Sequence, residues 1–439
     1  MRRGWPGSGL THINKSRSQD MAQSLTNFDN ALKEFYEGAI RETVNNDVIA
    51  FRELDESDRQ WSGRRVIFPF HTSRNSGIGA RPEGGTLPDA GNQGYEQSVV
   101  SATYQYGVIQ LSGQVLEAGR NAFADAMQEE MGAVSRDLVN DLGRQAWGDG
   151  TGRLCEVATS ANAGASTQIT VFNRFTAPGH NGGRYLLINQ LVDGGTTADP
   201  DADFSSAVIT GVTISESPGT TTDTVAASGG GMSAVSAGNF LFNKDAGGNE
   251  MMGMLGLIDN FSATNIYSST GFAGSSVQGI NRASVSNFNS IVLGNSSVER
   301  IVTPQLMQKA FDRIHVESGL EPDIIWGHHD TIRALLENVT ADRRYNSPEF
   351  HVGASSLTFN GIKLSRDRQC PYNSLYILNR SILKMYTLSD LKFADKDGSI
   401  LSRAASSDAY TAFLRCYKNL GLDGNPKGAC VIRDIKVDF

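Results

Sequence analysis

The chain has 439 residues, of which 39% are hydrophobic and 20% charged, and its formal net charge is −8. This length predicts two or three domains, and the acidic balance argues against a protein whose main role is to grip nucleic acid, because phosphate binding needs clustered Lys and Arg. Four cysteines in a chain this long do not make a disulfide framework, and because none forms a CxxC pair, the sequence has neither a zinc knuckle nor a thioredoxin-type motif. A reducing cytoplasm is the simplest location.

The chain begins with a basic segment, residues 1–20, that lacks the apolar run of a signal peptide, and Met21 is a candidate for the true start. No apolar stretch of 18 residues occurs anywhere, so we expect no membrane span. Over residues 25–46 the helical spacing of apolar residues predicts an amphipathic arm or an ordinary surface helix, with Phe28, Leu32, Phe35, Ile40 and Val44 on its apolar face.

Two extended runs then flank a loop rich in Gly and Pro. Residues 64–71 (RRVIFPFH) and 97–113 (QSVVSATYQYGVIQLSG) are rich in β-branched and aromatic residues, and residues 73–96 between them hold six glycines and two prolines. A hairpin with such arms would reach about 40–60 Å at ~3.3 Å per residue. We expect it to project from the body and to need a partner.

A long helix is predicted for residues 113–147. Its apolar stripe recurs at spacings of four or seven and consists of Leu116, Phe123, Met127, Val134, Leu138 and Leu142. Its opposite face carries Arg120, Gln128, Glu129, Arg136, Asp137 and Arg144. At 1.5 Å per residue the helix makes a rod of roughly 45–50 Å. A coiled-coil dimer is the alternative, but the stripe covers few strict heptads.

From Ser160 to Gly248 the composition shifts to Gly, Ser, Thr and Asp with short strand-like runs, which predicts a small sandwich or barrel. The module looks inserted, because helices and strands alternate again from Met251 onward.

The alternating region contains clear helix and strand signals. Thr303 predicts a helix N-cap with Pro304 at the first helical position, EPDIIWG predicts a buried strand, and Asp330 predicts the N-cap of the next helix. The tail predicts two strands separated by a turn at residues 423–426.

No catalytic signature is present: the sequence lacks GxxxxGK, GxGxxG after a strand, HExxH and GxSxG. His328, His329 and Asp330 could suggest metal ligation. Adjacent residues at a strand-to-helix turn point in different directions, however, and Asp330 is better explained as a cap.

Three further patterns have structural explanations. The aspartates at 199, 201 and 203 mimic the start of a calcium loop, but Phe204 and Thr210 replace its glycine and glutamate, so a solvated acidic loop is expected. Ser381 and Lys384 have the SxxK spacing without its companion motifs. Cys416 alternates with apolar residues, as a buried structural cysteine does.

The order of these elements resembles that of tailed-bacteriophage major capsid proteins, whose fold is shared with herpesvirus shell floors and bacterial encapsulins. The stretch ALKEFYEGAIRETVNN resembles the N-terminal arm, residues 64–112 resemble the extended E-loop, and residues 113–147 resemble the spine helix of the peripheral (P) domain. GLIDNFSATNIYSSTGF, from Gly256, and EPDIIWGHHDTIRALLEN resemble parts of the axial (A) domain.

The resemblance implies an α+β chain with an HK97-like major capsid fold. It divides the chain into an N-terminal arm (1–50), an E-loop hairpin (51–112), a P-domain spine helix (113–159), an inserted β-barrel-like domain (160–250), an A domain (251–400) and a return to the P-domain sheet (401–439).

The resemblance also implies a structural role and not an enzyme. Subunits would assemble through hexamers and pentamers into an icosahedral shell around double-stranded DNA, which they touch by weak, non-specific contacts. A separate scaffolding protein and a portal are implied as partners, and a decoration protein is left open. The location implied is the virion capsid, assembled in the cytoplasm of a bacterial host, with no membrane, cofactor, catalytic residue or metal site.

One departure from the family concerns cross-linking. Some members join neighbouring subunits by an isopeptide bond from an E-loop lysine, whereas no lysine occurs here between Lys33 and Lys244. We expect a shell without that bond. Intersubunit contacts are instead expected from Arg64, Arg65, Arg74, Arg81 and Glu83; the alternative is that these charges only solvate an exposed loop.

Two rival functions stay open on sequence alone. An encapsulin-like compartment that stores a cargo enzyme would share the fold, and the contents of the shell would distinguish it. A hydrolase or binding protein with a β-rich accessory domain belongs to another class, and activity in a monomeric preparation would favour it.

Overall fold

The computed structural model describes residues 41–43, 46–112, 120–159, 168–173, 182–215, 222–229, 235–260, 276–296, 298–343, 358–395, 402–403 and 408–437. The predicted helix over residues 25–46 lies almost wholly outside these residues. Among the described helices, none is long and apolar enough to span a membrane.

The described helices are α1 (Ile49–Glu53), α2 (Arg120–Trp147), α3 (Met254–Leu257), α4 (Pro304–Ser318) and α5 (His329–Arg343). The strands up to the end of the barrel are β1 (Arg65–Ser73), β2 (Gly94–Ser101), β3 (Thr103–Ser112), β4 (Arg153–Thr159), β5 (Gln168–Phe172), β6 (Leu191–Gly195), β7 (Phe204–Thr213), β8 (Thr222–Ser228) and β9 (Phe240–Asn243). The later strands are β10 (Ser276–Val277), β11 (Ile280–Asn281), β12 (Ile291–Leu293), β13 (Ile324–Gly327), β14 (Thr358–Phe359), β15 (Ile362–Arg366), β16 (Leu375–Leu378), β17 (Leu383–Phe393), β18 (Ser402–Arg403), β19 (Ala409–Leu422) and β20 (Ala429–Ile432).

The long helix α2 packs on an antiparallel sheet built around β19. Strand β3 pairs with one edge of β19, and β17 and β18 pair with the other. A Cβ on Gly107 would lie 3.1 Å from Val134 Cγ1, so this glycine allows the helix to approach the sheet closely. Helix residues Met131, Leu138 and Leu142 share the core beneath with Ile109.

A second, six-stranded sheet has the order β12-β20-β16-β13-β15-β14, with a parallel pairing of β13 to β15. Helix α4 packs against it through Met307, Phe311 and Ile314. The start of α4 is as predicted: Thr303 Oγ1 accepts a hydrogen bond from Leu306 N at 3.3 Å, and Pro304 occupies the first position.

The predicted cap of helix α5 is wrong. The helix begins at His329, and Asp330 lies in its first turn. His328 occupies the cap position: its carbonyl accepts from Ile332 N at 3.1 Å, and its Nδ1 accepts from Asp330 N at 3.2 Å. The imidazole of His328 therefore caps the helix by accepting a backbone hydrogen bond, a role that the sequence pattern assigned to the carboxylate of Asp330.

The inserted module is a closed barrel with the strand order β4-β5-β8-β7-β6-β9. Its interior is filled by apolar side chains that include Leu154, Val171, Ile209 and Val225. Strand β4 begins at Arg153, so the barrel takes in residues before 160, where the composition shifts. The sequence left open whether this module is a sandwich or a barrel, and the structure has a barrel.

The hairpin is shorter than predicted. Strand β1 pairs with β2 from Arg65↔Ser101 to Ser73↔Gly94, about 30 Å at ~3.3 Å per residue. The second predicted arm divides at Ala102, after which β3 leaves the hairpin and pairs with β19 from Lys418 to Ala409. The run of β-branched and aromatic residues continues across this division and gives no local sign of it.

Arg144 does not lie on a polar outer face of α2 as predicted. It is buried, and its guanidinium makes a two-point ion pair with Glu250 at 2.5 and 2.9 Å and a third contact with Asp141 at 2.7 Å. Burial would lower the Arg144 pKa, but the two carboxylates outweigh it and raise that pKa. This ion pair links Glu250, in the segment that follows the barrel, to the long helix α2.

The structure confirms the predicted α+β class with an inserted β-barrel. The elements follow one another as hairpin, long helix, barrel, α/β unit and returning strands. The two tail strands predicted around residues 423–426 are β19 and β20, which belong to different sheets.

Candidate functional site

The tip of the hairpin, residues 74–93, is mostly exposed and is held by contacts within itself. Asn75 Oδ1 accepts from Gly77 N at 2.7 Å, and Arg81 Nε donates to the Thr86 carbonyl at 3.0 Å. Two large apolar side chains stand in solvent at the tip: Ile78 is 62% exposed and Leu87 is 80% exposed. Two large exposed apolar side chains on one loop make the tip a candidate contact surface.

The five predicted contact residues all lie on the hairpin or at its root, and all are exposed: Arg64, Arg65, Arg74, Arg81 and Glu83. Arg64 and Arg65 sit at the root, far along the strands from the three at the tip. Arg81 binds carbonyls of its own loop. No described carboxylate forms an ion pair with Arg64, Arg65 or Arg74.

Burial of the hairpin decreases from root to tip. Near the root Val66, Phe68 and Val100 are buried against Tyr386 of β17. Farther out, Phe70 meets Phe288 edge to face at 4.8 Å, and Asn287 Nδ2 donates to the Thr72 carbonyl at 2.9 Å. The expectation that the whole hairpin projects is therefore wrong for its root, where one face packs on the body.

A second exposed surface lies on the side of the β3–β19 sheet that faces away from α2. It consists of Tyr104, Tyr106, Val108, Phe413 and Tyr417, and we call it the tyrosine face. Tyr104 packs edge to face on Tyr417 at 4.9 Å, and the hydroxyls of Tyr106 and Tyr417 are 3.4 Å apart. Tyr106 is 54% exposed and Val108 is 64% exposed. The rings pack on one another, the Arg415 guanidinium lies 5.8 Å from the Tyr417 ring centroid, and the outer rings stay exposed in the described part of the chain.

Sequence reasoning missed the tyrosine face because it assigned residues 97–113 to a single hairpin arm. A usable signal was present: in TYQYGVIQ, apolar or aromatic residues occupy both alternating sets, with Gly107 and Ile109 on one face and Tyr106 and Val108 on the other. A strand with two apolar faces in an otherwise solvated sheet indicates that both faces are covered.

The histidine pair at residues 328–329 and the acidic loop at residues 199–203 were the two patterns with a possible metal-binding role. The rings of His328 and His329 are perpendicular with centroids 6.0 Å apart, and within the described part of the chain no group of three or more His, Cys, Asp or Glu could hold a metal. Asp203 caps barrel residues by accepting from Asn239 Nδ2 at 2.6 Å, while Asp199 is exposed.

The four cysteines are free and buried, as predicted for Cys416: Cys155, Cys370, Cys416 and Cys430. Burial raises the pKa of each thiol, to about 11 for Cys416 and about 12 for Cys430. Thiols in this state are poor nucleophiles, because the thiolate is the reactive form.

No family model matches the sequence, and no curated protein matches it. The fold is similar to solved phage capsid structures. A chain of the cyanophage A-1(L) capsid asymmetric unit is 12% identical over 87% of this chain and 90% of that chain, with a TM-score of 0.44. A chain of the capsid of a native GTA particle is 5% identical over 89% and 91%, with a TM-score of 0.43.

A chain of the SrpI encapsulin complex from Synechococcus elongatus is 17% identical over 34% of this chain and 54% of that chain, with a TM-score of 0.25.

Proposed function

We propose that this chain is the major capsid protein of a tailed bacteriophage, which assembles through hexamers and pentamers into an icosahedral shell around double-stranded DNA. The observation that carries the proposal is the pair of uncovered surfaces on one chain. The hairpin tip exposes Ile78 and Leu87, and the tyrosine face exposes Tyr106 and Val108.

The two surfaces differ in composition, and in the proposed shell each copy places its hairpin tip on the tyrosine face of one neighbour while its own tyrosine face receives the tip of another. The hairpin root is fixed on β17, while the tip extends beyond the body. Head-to-tail contacts of this kind form rings when the rotation between copies closes. In the proposed shell the hairpin lies across the next subunit, and Arg64, Arg65, Arg74, Arg81 and Glu83 add polar contacts around the apolar ones.

A shell of this kind needs no catalytic activity, and the negative net charge of the chain suits a container for DNA. A net charge of −8 keeps the wall from holding packaged DNA too tightly for release. The proposal includes a separate scaffolding protein and a portal as partners, assembly in the bacterial cytoplasm, and no enzymatic activity.

The test replaces residues 74–93 by a two-residue Asn-Gly turn, which suits a short hairpin connection. Purified wild type and the shortened variant are compared by sedimentation velocity and negative-stain electron microscopy, each with and without a scaffolding protein from the same genome. We expect rings or closed shells from the wild type only. Because the tip makes few contacts with the body, the thermal midpoint of the unassembled subunit should be unchanged.

A matched control keeps the length of the tip and substitutes Arg74 and Glu83 by Ser, so that only charge is lost. This variant should still assemble, with weaker association at low salt. A wild type that stays monomeric even with scaffold present would overturn the proposal, as would shells formed equally well without the tip.

A further inference from the structure

A cleft opens where two neighbouring parallel strands end. Strand β13 ends at Gly327 and is followed by His328 and His329, while β15 ends at Arg366 and is followed by Asp367 and Arg368. Gly327 and Arg366 are register partners, so the residues that follow both strands meet at one edge of the sheet. In open α/β sheets, ligands bind in crevices at the carboxyl ends of such strands.

Two connected clefts occupy this edge. The smaller has a volume of about 220 Å³ and lies between α1, α2 and the strand ends; the larger has a volume of about 940 Å³ and extends toward the barrel. His329, Arg368 and Gln369 line both, so the two clefts adjoin at these residues. We call the smaller one, with these three residues at its mouth, the arginine cleft.

The arginine cleft concentrates cations in an acidic protein. Arg52, Arg366 and Arg368 line it together with His329, and all four are exposed. Arg366 has no ion pair with a described carboxylate, and Arg368 donates to the side-chain oxygen of Asn140, which is uncharged. Burial lowers the His329 pKa, and His328 and Arg366 lower it further, so the positive charge of the cleft comes from the three arginines.

Three carboxylates lie in or beside the cleft. Asp367 accepts from Trp147 Nε1 at 2.9 Å and from the Gln369 backbone at 2.8 Å. Glu53, which meets Arg52 at 3.1 Å, also accepts from Trp326 Nε1 at 2.6 Å. Asp47 lines the cleft as well. Of these three carboxylates, Asp47 and Asp367 line the cleft, so two lining carboxylates face three guanidinium groups, of which that of Arg52 is also paired with Glu53.

A buried amide at the mouth of the cleft is not fully bonded. Gln369 is only 7% exposed; its side-chain oxygen has no hydrogen-bond partner among the described residues, and its nitrogen reaches only the Asn140 carbonyl, at 3.5 Å. A carboxamide in this state can rotate to present its N–H groups to a ligand.

We propose that the arginine cleft binds phosphate groups of a duplex DNA backbone, with Arg366 and Arg368 as the principal contacts and Gln369 as an additional donor. The guanidinium fork matches the geometry of phosphate oxygens. The choice of DNA as the source of the phosphate rests on the proposed function, in which the chain encloses a genome. Contacts to the backbone alone would hold DNA without regard to sequence.

The test measures the salt dependence of DNA binding by the full-length protein. Fluorescence anisotropy with a labelled duplex of about 30 base pairs gives the slope of log K against log salt, which falls by about 0.9 for each lost phosphate contact. We expect Arg366→Gln with Arg368→Gln to reduce the steepness of that slope by about 1.8.

The matched control is Lys392→Gln with Arg403→Gln, which removes the same charge from exposed residues on β17 and β18. It should leave the slope unchanged. Equal slopes in wild type and the Arg366/Arg368 variant would overturn the proposal, as would an equal loss in the control.

Two further probes distinguish the source of the anion. If the two arginine substitutions weaken binding of inorganic phosphate or of labelled polyglutamate but leave duplex binding untouched, the cleft serves free phosphate or an acidic peptide and the proposal is wrong. Shell assembly of the same variants is scored separately. A wild type that fails to assemble but shows the expected slopes would overturn the proposed function and support the cleft.

Discussion

At the scale of single residues, the ion pair between Arg144 and Glu250 shows how the barrel is held to the long helix. Both side chains are buried, and Gln145 beside them donates to Asp141 at 2.8 Å. Removing one partner of such a pair leaves an uncompensated charge in the interior, which costs more than the pair itself contributes.

We therefore expect Arg144→Met to lower the free energy of unfolding by about 3–5 kcal/mol. The double variant with Glu250→Met should recover most of that loss, because no buried charge is left. Urea unfolding of unassembled subunits measures both. Arg136→Met, on the exposed side of the same helix, is the control and should change the stability by less than about 0.5 kcal/mol. Additive losses in the double variant would contradict this account.

The buried thiols make stability fall at high pH. Burial, with a smaller contribution from Asp390, raises the pKa of Cys416 from 9.0 to about 11, although Lys418 opposes the shift. Between these values the unfolded chain loses the thiol proton and the folded chain keeps it, so unfolding is favoured as pH rises.

Cys416 should therefore contribute a loss of roughly 1.4 kcal/mol per pH unit between pH 9 and 11. Chemical denaturation at several pH values tests this, with Cys416→Ala as the comparison. The variant should show a shallower decline over this window. If the free energy of unfolding declines equally with pH in the two proteins, burial of Cys416 is not the cause of the decline.

At the scale of elements, the end of helix α2 illustrates a close backbone contact. A Cβ at Gly253 would lie 2.4 Å from the Gln145 carbonyl oxygen and 2.6 Å from that of Ala146. Both are backbone atoms, which cannot move aside as a flexible side chain would. A glycine is therefore needed where the chain returns from the barrel and crosses the helix end.

Gly253→Ala should destabilise the subunit by about 1–3 kcal/mol through overpacking. Gly132→Ala in the same helix is the matched control: a Cβ there meets nothing within 4 Å, so the change should stabilise by up to about 1 kcal/mol. Thermal unfolding of the two variants gives opposite shifts in the midpoint. A neutral Gly253→Ala would mean that the helix end can move.

The hairpin is the element on which assembly is expected to depend. Leu87→Asp places a charge on a side chain that is 80% exposed in the subunit, so folding should be unaffected while a buried contact in the shell would be lost. We expect at least a tenfold loss in shell yield by sedimentation. Leu87→Met keeps the apolar contact and should assemble normally; equal yields from both variants would exclude Leu87 from the interface.

Local signals were sufficient for some elements and insufficient for others. Helix α4 was predictable because Thr303 and Pro304 start it. The tyrosine face was predictable only in part: the alternation in residues 103–110 marks both sides of β3, but the face forms only when β3 meets β19 about three hundred residues later, through register partners such as Tyr104 and Tyr417. The arginine cleft was out of reach, since Arg52, His329 and Arg366 come from three distant segments.

At the scale of the whole molecule, the shell is expected to be held without covalent bonds between subunits. No lysine occurs from residue 34 to residue 243, a span that includes the whole hairpin. Purified shells boiled in SDS should therefore run as a single monomer band, and dilution in mild denaturant should release intact subunits. A ladder of multimers on the gel, resistant to reducing agent, would contradict this.

The two sheets share a property that bears on synthesis. Strand β19 lies between β3 and β17, and β20 lies between β12 and β16, yet both follow every other described strand along the chain. A ribosome therefore exposes the outer strands of each sheet well before the strands that join them. Until residues 409–432 emerge, both sheets lack the strand that joins their parts. The tyrosine face does not exist before then either, because it needs β19. In the proposed shell, a nascent chain therefore cannot receive a neighbour's hairpin on its tyrosine face until its own translation has passed this point.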